Sequence, residues 1–231
     1  MKAASPVSSV RSARAVVRPV RDAERTQATI LAAATHEFAR HGLGGARVDR
    51  IASRAGSNKR MLYYYFGSKE KLFLAVLEKT YADIRTAEQA LNLLDASPTD
   101  GVRRLIEFTW EYFIAHPEFL TLLNSENLHQ ARHLKRSKHI REMNSPLIET
   151  LGTLLVRGQR DGSFRSGVDP LQLYISIASL SYFFLSNRHT LAQVFGPAPF
   201  SATRRRSRLE HMTALVLGYL AQAESPAAAR R

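Results

Sequence analysis

The sequence predicts an all-α protein, and three observations lead to that prediction. Apolar residues recur every three or four positions along most of the chain, as Ile30, Ala34 and Phe38 do, which is typical of amphipathic helices. No stretch alternates apolar and polar residues with the period of two that a half-buried strand requires. Cap residues followed by proline, such as Asp169-Pro170, mark repeated helix starts. We expect about nine helices.

Composition bounds the possible classes of protein. The chain has 231 residues, of which 45% are hydrophobic. It can therefore fold as one larger domain or as two small ones, and its composition is not that of a disordered protein. The absence of cysteine excludes disulfides, thiolate nucleophiles and cysteine metal sites, and it fits a reducing compartment. A net charge of +13 favours polyanionic partners, which are DNA, RNA or an anionic membrane surface.

The first 21 residues form a basic arm that contains no acidic residue before Asp22. We expect this arm to be disordered without DNA, and such arms often add phosphate contacts. It lacks the apolar stretch of a secretory signal. The longest apolar-rich run, residues 171–185, is interrupted by serines and is shorter than the ~18 residues of a membrane span. A cytoplasmic protein is therefore expected.

Helix starts and stops organise the first third of the chain. Gly42 can supply a left-handed stop for the first helix and Gly56 ends the second. Asn58 is a good N-cap for the third helix, and Ser68 can cap the fourth. The four expected helices are residues 22–41, 48–55, 59–66 and one that begins at 69.

A second helical region follows, with a boundary near residues 80 to 95. Helices are expected to begin at Pro98, Pro117 and Pro170, while Pro146 should kink a helix or split it in two. The predicted domains are a basic arm (1–21), a helix-turn-helix domain (22–84), a helical body (85–223) and a tail (224–231).

The second and third helices have the spacing of a helix-turn-helix, in which the second of the pair enters the major groove. Leu62 and Phe66 lie four residues apart and are expected to face the core. The outward positions are then Lys59, Arg60, Tyr63 and Tyr64. Such residues can donate to phosphates and guanine edges or pack against thymine methyl groups. At least one of the three adjacent tyrosines should pack inside.

These residues resemble the TetR family of transcriptional regulators. The match spans roughly residues 22–84 and includes Phe38, both Gly42 and Gly56, and the segment from Lys59 to Lys69. The resemblance implies a three-helix DNA-binding head, a larger ligand-binding body and a homodimer built mainly by the last two helices, here residues 169–193 and 204–223. Each segment carries an apolar stripe at helical spacing, formed by Leu171, Ile175, Ala178 and Tyr182 on the first and by Leu209, Met212, Val216 and Tyr219 or Leu220 on the second. The resemblance also implies the DNA-binding residues, which we expect to be Arg47, Asn58, Lys59, Arg60, Tyr63, Tyr64, Tyr65 and Lys69.

Several positions depart from the family pattern. Ser57-Asn58 replaces the usual Val-Ser of the turn, and Met61 replaces a frequent Thr. Arg47 stands where the family commonly has a Thr or Ser that binds phosphate and caps the second helix, and Tyr65 replaces a frequent His. Lys69 matches a lysine that the family places on phosphate. The departures bear on which operator sequence is bound.

The C-terminal half is similar to a subgroup of the family that includes the repressor of nicotinate degradation. The similarity rests on segments such as Glu126-Asn127-Leu128 and residues 184–188. It implies an effector such as nicotinate, 6-hydroxynicotinate or another small aromatic acid. Aromatic walls with an arginine donor suit such an acid. The expected ligand residues are Trp110, Phe113, Asn127, His129, Tyr174 and Arg188.

The predicted function is a homodimeric repressor that binds double-stranded operator DNA and is released by a small molecule, with no cofactor and no membrane partner. An enzyme acting on a small organic acid is the main alternative, although no nucleophile elbow or catalytic spacing links the Ser, His and Asp residues. A second alternative is a nonspecific nucleic-acid binder that acts through charge alone. His129 and His133 have the spacing of a helical metal pair, but without a fitted acid or cysteine a surface or pocket position is favoured and no metal is expected.

Overall fold

The computed structural model describes residues 17–221, apart from the side chains of residues 17–21, 141, 144, 145, 199 and 202. Most of the predicted basic arm and all of the tail therefore lie outside the described residues. Within the described range the chain forms ten α-helices and three short 3₁₀ turns and no strand, which confirms the all-α prediction with one helix more than expected.

The helices are α1 (Val17–Gly45), α2 (Val48–Arg54), α3 (Lys59–Phe66), α4 (Lys69–Gln89), α5 (Pro98–Ala115), α6 (Pro117–Leu128), α7 (His139–Arg160), α8 (Pro170–Ser186), α9 (Arg188–Phe195) and α10 (Ala202–Leu220). The 3₁₀ turns are Leu93–Asp95, Leu134–Arg136 and Ala198–Phe200. No helix in the described part of the chain is long and apolar enough to cross a membrane.

Two compact units divide the chain, with the division between Val76 and Leu77. We call the unit before it the head and the unit after it the body. In the head, Ile30, Ile51 and Leu62 bring α1, α2 and α3 into one core and are fully buried. The rings of Phe38 and Phe73 meet edge to face at 5.1 Å between centroids, which adds α4 to the same core.

The helix boundaries in the head follow the local chemistry of the sequence. The side chain of Asn58 accepts a hydrogen bond from the Met61 amide at 3.0 Å, so α3 begins where predicted. Ser68 accepts from the Lys71 amide at 3.1 Å and caps α4 in the same way. Gly42 breaks α1 with a left-handed φ of 62°. The start of α1 at Val17 is earlier than the predicted start near residue 22.

The body packs around α5, which contacts α7, α8 and α10. Ser97 caps α5 by accepting from the Asp100 amide at 3.2 Å, and Asp169 caps α8 by accepting from the Gln172 amide at 2.8 Å. Pro146 lies inside α7, which continues from His139 to Arg160, so of the two expected effects, a kink or a split, the split does not occur.

Gly158 supplies the close approach of α7 to the loop that follows it. A Cβ atom at this position would lie 2.1 Å from Cδ2 of Phe164, whose ring is buried. We expect Gly158→Ala to lower the free energy of unfolding by about 2 kcal/mol, because the ring cannot move outward without leaving the core. Urea unfolding of the purified protein measures this change.

A matched control for this prediction is Gly152→Ala on the same helix. A Cβ atom there would meet nothing closer than Pro170 Cγ at 3.9 Å. This variant should be neutral or slightly stabilising, because alanine favours helix more than glycine does. Equal stability of the two variants would show that the Phe164 ring can move away from the added methyl group without a loss of stability.

Candidate functional site

Helix α3 presents one face to the head core and the opposite face to solvent. Leu62 is fully buried and Tyr65 is half-buried, whereas Tyr64 is 77% exposed. Lys59 and Arg60 are exposed as well, so the outward face of α3 combines cationic and aromatic side chains. Their exposure agrees with their helical positions, while their contact with DNA stays a prediction. Tyr63, the fourth outward residue, is also exposed.

Charged groups on this face are only loosely held by the protein. Lys59 forms an ion pair with Asp49 of α2, and both side chains are more than half exposed. Exposed ion pairs stabilise proteins little, so Lys59 can exchange Asp49 for a phosphate at small cost. Arg60 has no ion pair within residues 17–221.

The N-terminus of α2 is capped by a residue that sequence reasoning missed. Arg47 makes no side-chain cap, but its amide donates to Oε1 of Glu37 on α1 at 3.0 Å. Arg50 Nη1 lies 3.4 Å from the same oxygen, and His41 Nε2 lies 3.9 Å from Oε2. The buried Glu37 carboxylate therefore supplies the acceptor that a Thr or Ser at position 47 would give. The exposed Arg47 side chain is left for other contacts.

The remaining two residues predicted to bind DNA flank α3. Asn58 is exposed and uses its side-chain oxygen to cap α3. Lys69 is half-buried, and its Nζ donates to the Gly44 carbonyl at 3.5 Å. The amine of Lys69 therefore lies beside the end of α1 and not on the outward face of α3.

The six predicted ligand residues occupy different environments. Trp110 and Phe113 are buried in the body core, where Phe113 stacks on Phe119 with 5.6 Å between ring centroids. Asn127 and Arg188 are exposed. His129 Nδ1 donates to the Ser125 carbonyl at 2.7 Å, and the Tyr174 hydroxyl accepts from Arg85 Nη2 at 2.8 Å. None of the six lines either of the two cavities described next.

The first of these, which we call the α4–α7 cavity, lies between α4, the Leu93–Asp95 turn and α7 and has a volume of 340 Å³. Its lining residues are Arg85, Glu88, Gln89, Asn92, Leu93, Leu94, Asp95, Met143, Pro146, Leu147 and Thr150. The second is an open groove of 540 Å³ between α8 and α10, to which Phe183, Leu215 and Tyr219 contribute exposed apolar surface.

Arg85 and Glu88 form a buried ion pair in the wall of the α4–α7 cavity. Arg85 Nη1 lies 2.7 Å from Glu88 Oε2, and the guanidinium carbon lies 5.5 Å from the centre of the Tyr174 ring. Burial raises the pKa of Glu88 to about 7, although the charge of Arg85 opposes the shift. Sequence reasoning missed this pair. The available signal was two charged residues at core-facing positions of α4, beside the apolar Ile84.

The raised pKa of Glu88 makes stability depend on pH. Between pH 4.5 and about 7, Glu88 keeps its proton in the folded protein but releases it in the unfolded chain. Its contribution to the free energy of unfolding is therefore fully present below pH 4.5 and is lost as the pH rises through about 7. Between pH 5 and pH 8 we expect the wild type to lose about 2 kcal/mol of unfolding free energy from this residue, and Glu88→Gln to lose none of it. Urea unfolding at the two pH values measures it, with the exposed Glu111→Gln as the matched control. An unchanged pH dependence in Glu88→Gln would contradict the assignment.

Of the two histidines with metal-pair spacing, His129 and His133, the second makes a structural contact. The buried carboxylate of Glu126 accepts from His133 Nδ1 at 2.8 Å, from the His133 amide at 2.7 Å and from the Leu134 amide at 2.9 Å. These bonds hold the segment after α6. No group of three His, Asp or Glu side chains that could hold a metal ion occurs in the described part of the chain.

Comparison with known proteins gives matches over both units. Residues 30–76 match the model for bacterial regulatory proteins of the tetR family, and residues 98–216 match the model for the tetracyclin repressor-like C-terminal domain. The chain is 45% identical over 170 residues to the HTH-type transcriptional repressor NicS of Pseudomonas putida, which covers 74% of this chain and 80% of NicS. It is 44% identical over 108 residues to the HTH-type transcriptional repressor SCO4008 of Streptomyces coelicolor, which covers 47% of this chain and 53% of that protein.

Solved structures share the fold. The transcriptional regulator SCO4942 of Streptomyces coelicolor aligns with a TM-score of 0.62 and 26% identity, covering 84% of this chain and 98% of that one. The ketosteroid transcriptional regulator KstR2 of Mycobacterium tuberculosis aligns with a TM-score of 0.60 and 21% identity, covering 85% of this chain and 95% of that one. These matches confirm a helix-turn-helix head joined to a helical body.

Proposed function

The chain belongs to the TetR family of DNA-binding transcriptional regulators, and from that membership we propose that it is a homodimeric repressor released from its operator by a small aromatic acid. The observation that carries the proposal is α3, whose outward face is cationic and aromatic while its inner face is anchored by Leu62. Recognition of base edges in the major groove requires hydrogen-bond donors that are exposed on a rigid helix. The family membership assigns the chain to regulators and not to enzymes.

Contact with DNA is proposed for the residues on and around α3. The exposure of Arg60, Tyr63 and Tyr64 on α3 supports contacts of these residues with base edges. Lys59 is proposed to exchange Asp49 for a phosphate. Arg47, Asn58, Tyr65 and Lys69 are proposed as flanking contacts, with Lys69 leaving the Gly44 carbonyl for a phosphate. The net charge of +13 gives an attractive field for the DNA backbone.

A homodimer is proposed because α8 and α10 leave apolar surface uncovered in one chain. Leu171, Ile175 and Phe183 on α8 and Leu215 and Tyr219 on α10 are exposed. A second copy related by a two-fold axis would cover them in a four-helix bundle. Two heads related in this way would bind a pseudo-palindromic operator whose half-sites are a near-integral number of helical turns apart.

The effector is proposed to be nicotinate, 6-hydroxynicotinate or another small aromatic acid. This class follows from the resemblance of the C-terminal half to the subgroup described above, and NicS shares 45% identity with the chain over 170 residues. The effector releases DNA only if it binds the released state more tightly than the DNA-bound state.

Footprinting and gel retardation on DNA flanking the gene test the proposal. The wild-type protein should protect a dyad-symmetric site and lose it when nicotinate, 6-hydroxynicotinate or benzoate is added at millimolar concentration. Lys69→Ala should weaken operator and random DNA roughly equally and reduce the salt slope by about one unit. Protection without dyad symmetry would count against the dimeric repressor, and retention of DNA with every acid would remove the effector class alone.

A further inference from the structure

We propose that the α4–α7 cavity is the effector site and that it takes a small monocarboxylate whose carboxylate group binds the guanidinium of Arg85. The inference rests on the proposed function, because it assigns a place and a charge to the effector of that repressor. It departs from the sequence expectation, in which the arginine donor is Arg188. Arg188 is exposed at the start of α9, and its Nε donates to His189 Nε2 at 3.3 Å.

The first observation is an unused donor inside the body. Arg85 is only 5% exposed, yet its Nε has no hydrogen-bond partner among the described residues. Nη2 donates to the Tyr174 hydroxyl, whereas Nη1 lies 2.7 Å from Glu88 Oε2 in an ion pair that lacks hydrogen-bond geometry. A buried donor without a partner is unfavourable, and arginine presents Nε and Nη donors in the fork that suits a carboxylate.

The second observation is the cavity that Arg85 lines. Its volume of 340 Å³ is at the lower end of the range of about 300 to 1,000 Å³ that small-molecule sites occupy, which suits a single ring or a short acyl chain. Leu93, Met143, Pro146 and Leu147 give it an apolar wall. A compact apolar group with one anionic end therefore matches both the wall and the donor.

The charge of the cavity selects an anion over a cation. Arginine stays protonated at all relevant pH values, whereas the pKa of Glu88 is raised to about 7, so that its negative charge can be removed by one proton. A bound carboxylate beside Glu88 would favour the protonated form further, and protonated Glu88 can itself donate a hydrogen bond to the ligand.

The other groups around Glu88 do not reverse this preference. Burial raises the pKa of Tyr112 on α5 to about 12, so its hydroxyl carries no charge at physiological pH. The Tyr174 hydroxyl of α8 accepts from Arg85 Nη2, and Asp95 of the turn is exposed. From α7 the described side chains that line the cavity carry no charge, namely Met143, Pro146, Leu147 and Thr150. Binding of the anion should therefore take up a proton at Glu88.

The position on α4 offers a way to connect the site with DNA binding. Arg85 and Glu88 are in the last turns of α4, and the first residues of the same helix, 69–76, belong to the head. A ligand that changes the position of α4 in the body therefore acts on an element that continues into the DNA-binding unit.

Calorimetric titration of the full-length protein tests the proposal with benzoate and nicotinate as probes and with benzamide and nicotinamide as their neutral counterparts. The acids should bind at least 30-fold more tightly than the amides. Their affinity should fall about tenfold between pH 6 and pH 8, because the bound state holds the proton that Glu88 releases near pH 7. In Glu88→Gln the affinity should no longer depend on pH over this range.

The double variant Arg85→Met with Glu88→Leu removes the donor without leaving a buried charge unpaired, and it should lose the acids while still binding the operator. Arg188→Ala is the matched control and should bind the acids as the wild type does. The site assignment is overturned if the double variant keeps its affinity, if the amides bind as tightly as the acids, or if Arg188→Ala alone loses binding. It is also overturned if no acid binds the wild type at millimolar concentration, and the repressor itself fails only if the wild type binds no operator.

Discussion

Replacing Arg60 and Tyr64 together with alanine is expected to weaken binding to the operator by roughly 1000-fold or more, since two base contacts per head, four in the dimer, worth about 1–3 kcal/mol each are lost. Binding to random DNA should fall much less, because only one positive charge per head is removed. Both side chains are exposed on α3, so their loss leaves the anchor at Leu62 untouched. Fluorescence anisotropy with operator and random duplexes at one fixed salt concentration measures both losses.

The matched control for this pair is Arg104→Ala, which removes the same charge from an exposed position on α5 of the body. We expect it to change neither the operator affinity nor the preference for the operator. If the double variant weakened operator and random DNA by the same factor, Arg60 and Tyr64 would be phosphate contacts and the base readout would have to lie elsewhere on α3.

Local chemistry explains why the head could be predicted from sequence. Helix α3 is bounded by a capping asparagine and a glycine with φ of 77°, and both signals act within a few residues of the helix end. The outward face of α3 follows from helical spacing once Leu62 is placed inside. Boundaries and faces of this kind depend on the sequence of one segment.

Contacts between distant segments explain what could not be predicted. Glu37 caps α2 across ten positions, and Arg85 meets Tyr174 across 89 positions. No sequence period reports such pairs, because each partner looks like an ordinary charged or aromatic residue in its own helix. Tertiary packing likewise decides the environment of the predicted ligand residues, since Trp110 and Phe113 of α5 are buried in the core of the body.

The stripe predicted on the last helix illustrates the same limit. Leu209, Met212, Val216 and either Tyr219 or Leu220 share a face by spacing, yet Met212, Val216 and Leu220 are buried in the core of the body. Leu215 and Tyr219 are the exposed apolar residues of α10. Tyr182 of the other stripe donates its hydroxyl proton to Asn124, which ties α8 to α6. Periodicity finds an apolar face, but it does not say which neighbour covers it.

The uncovered apolar face of α8 and α10 leads to a prediction about assembly. We expect the double variant Ile175→Asp with Leu215→Asp to be monomeric at micromolar concentration and to bind the operator roughly 10²- to 10⁴-fold more weakly. Each side chain is about half exposed in one chain, so an aspartate is tolerated there by the monomer but not inside a bundle of four apolar helices. Two linked heads gain roughly 10² to 10⁴ in affinity over one head, and the monomer forfeits that gain.

Sedimentation equilibrium gives the mass of the variant, and gel retardation on the full operator and on a single half-site gives its affinity. The control is Leu128→Asp, which places the same charge on a more exposed leucine at the end of α6, outside the apolar surface that α8 and α10 leave uncovered. It should remain a dimer and bind as the wild type does. On a half-site the double variant should match the wild type, because α3 is unchanged in both. A double variant that stays dimeric would show that another surface joins the two copies, and equal weakening on the half-site would show that the substitutions damage the head.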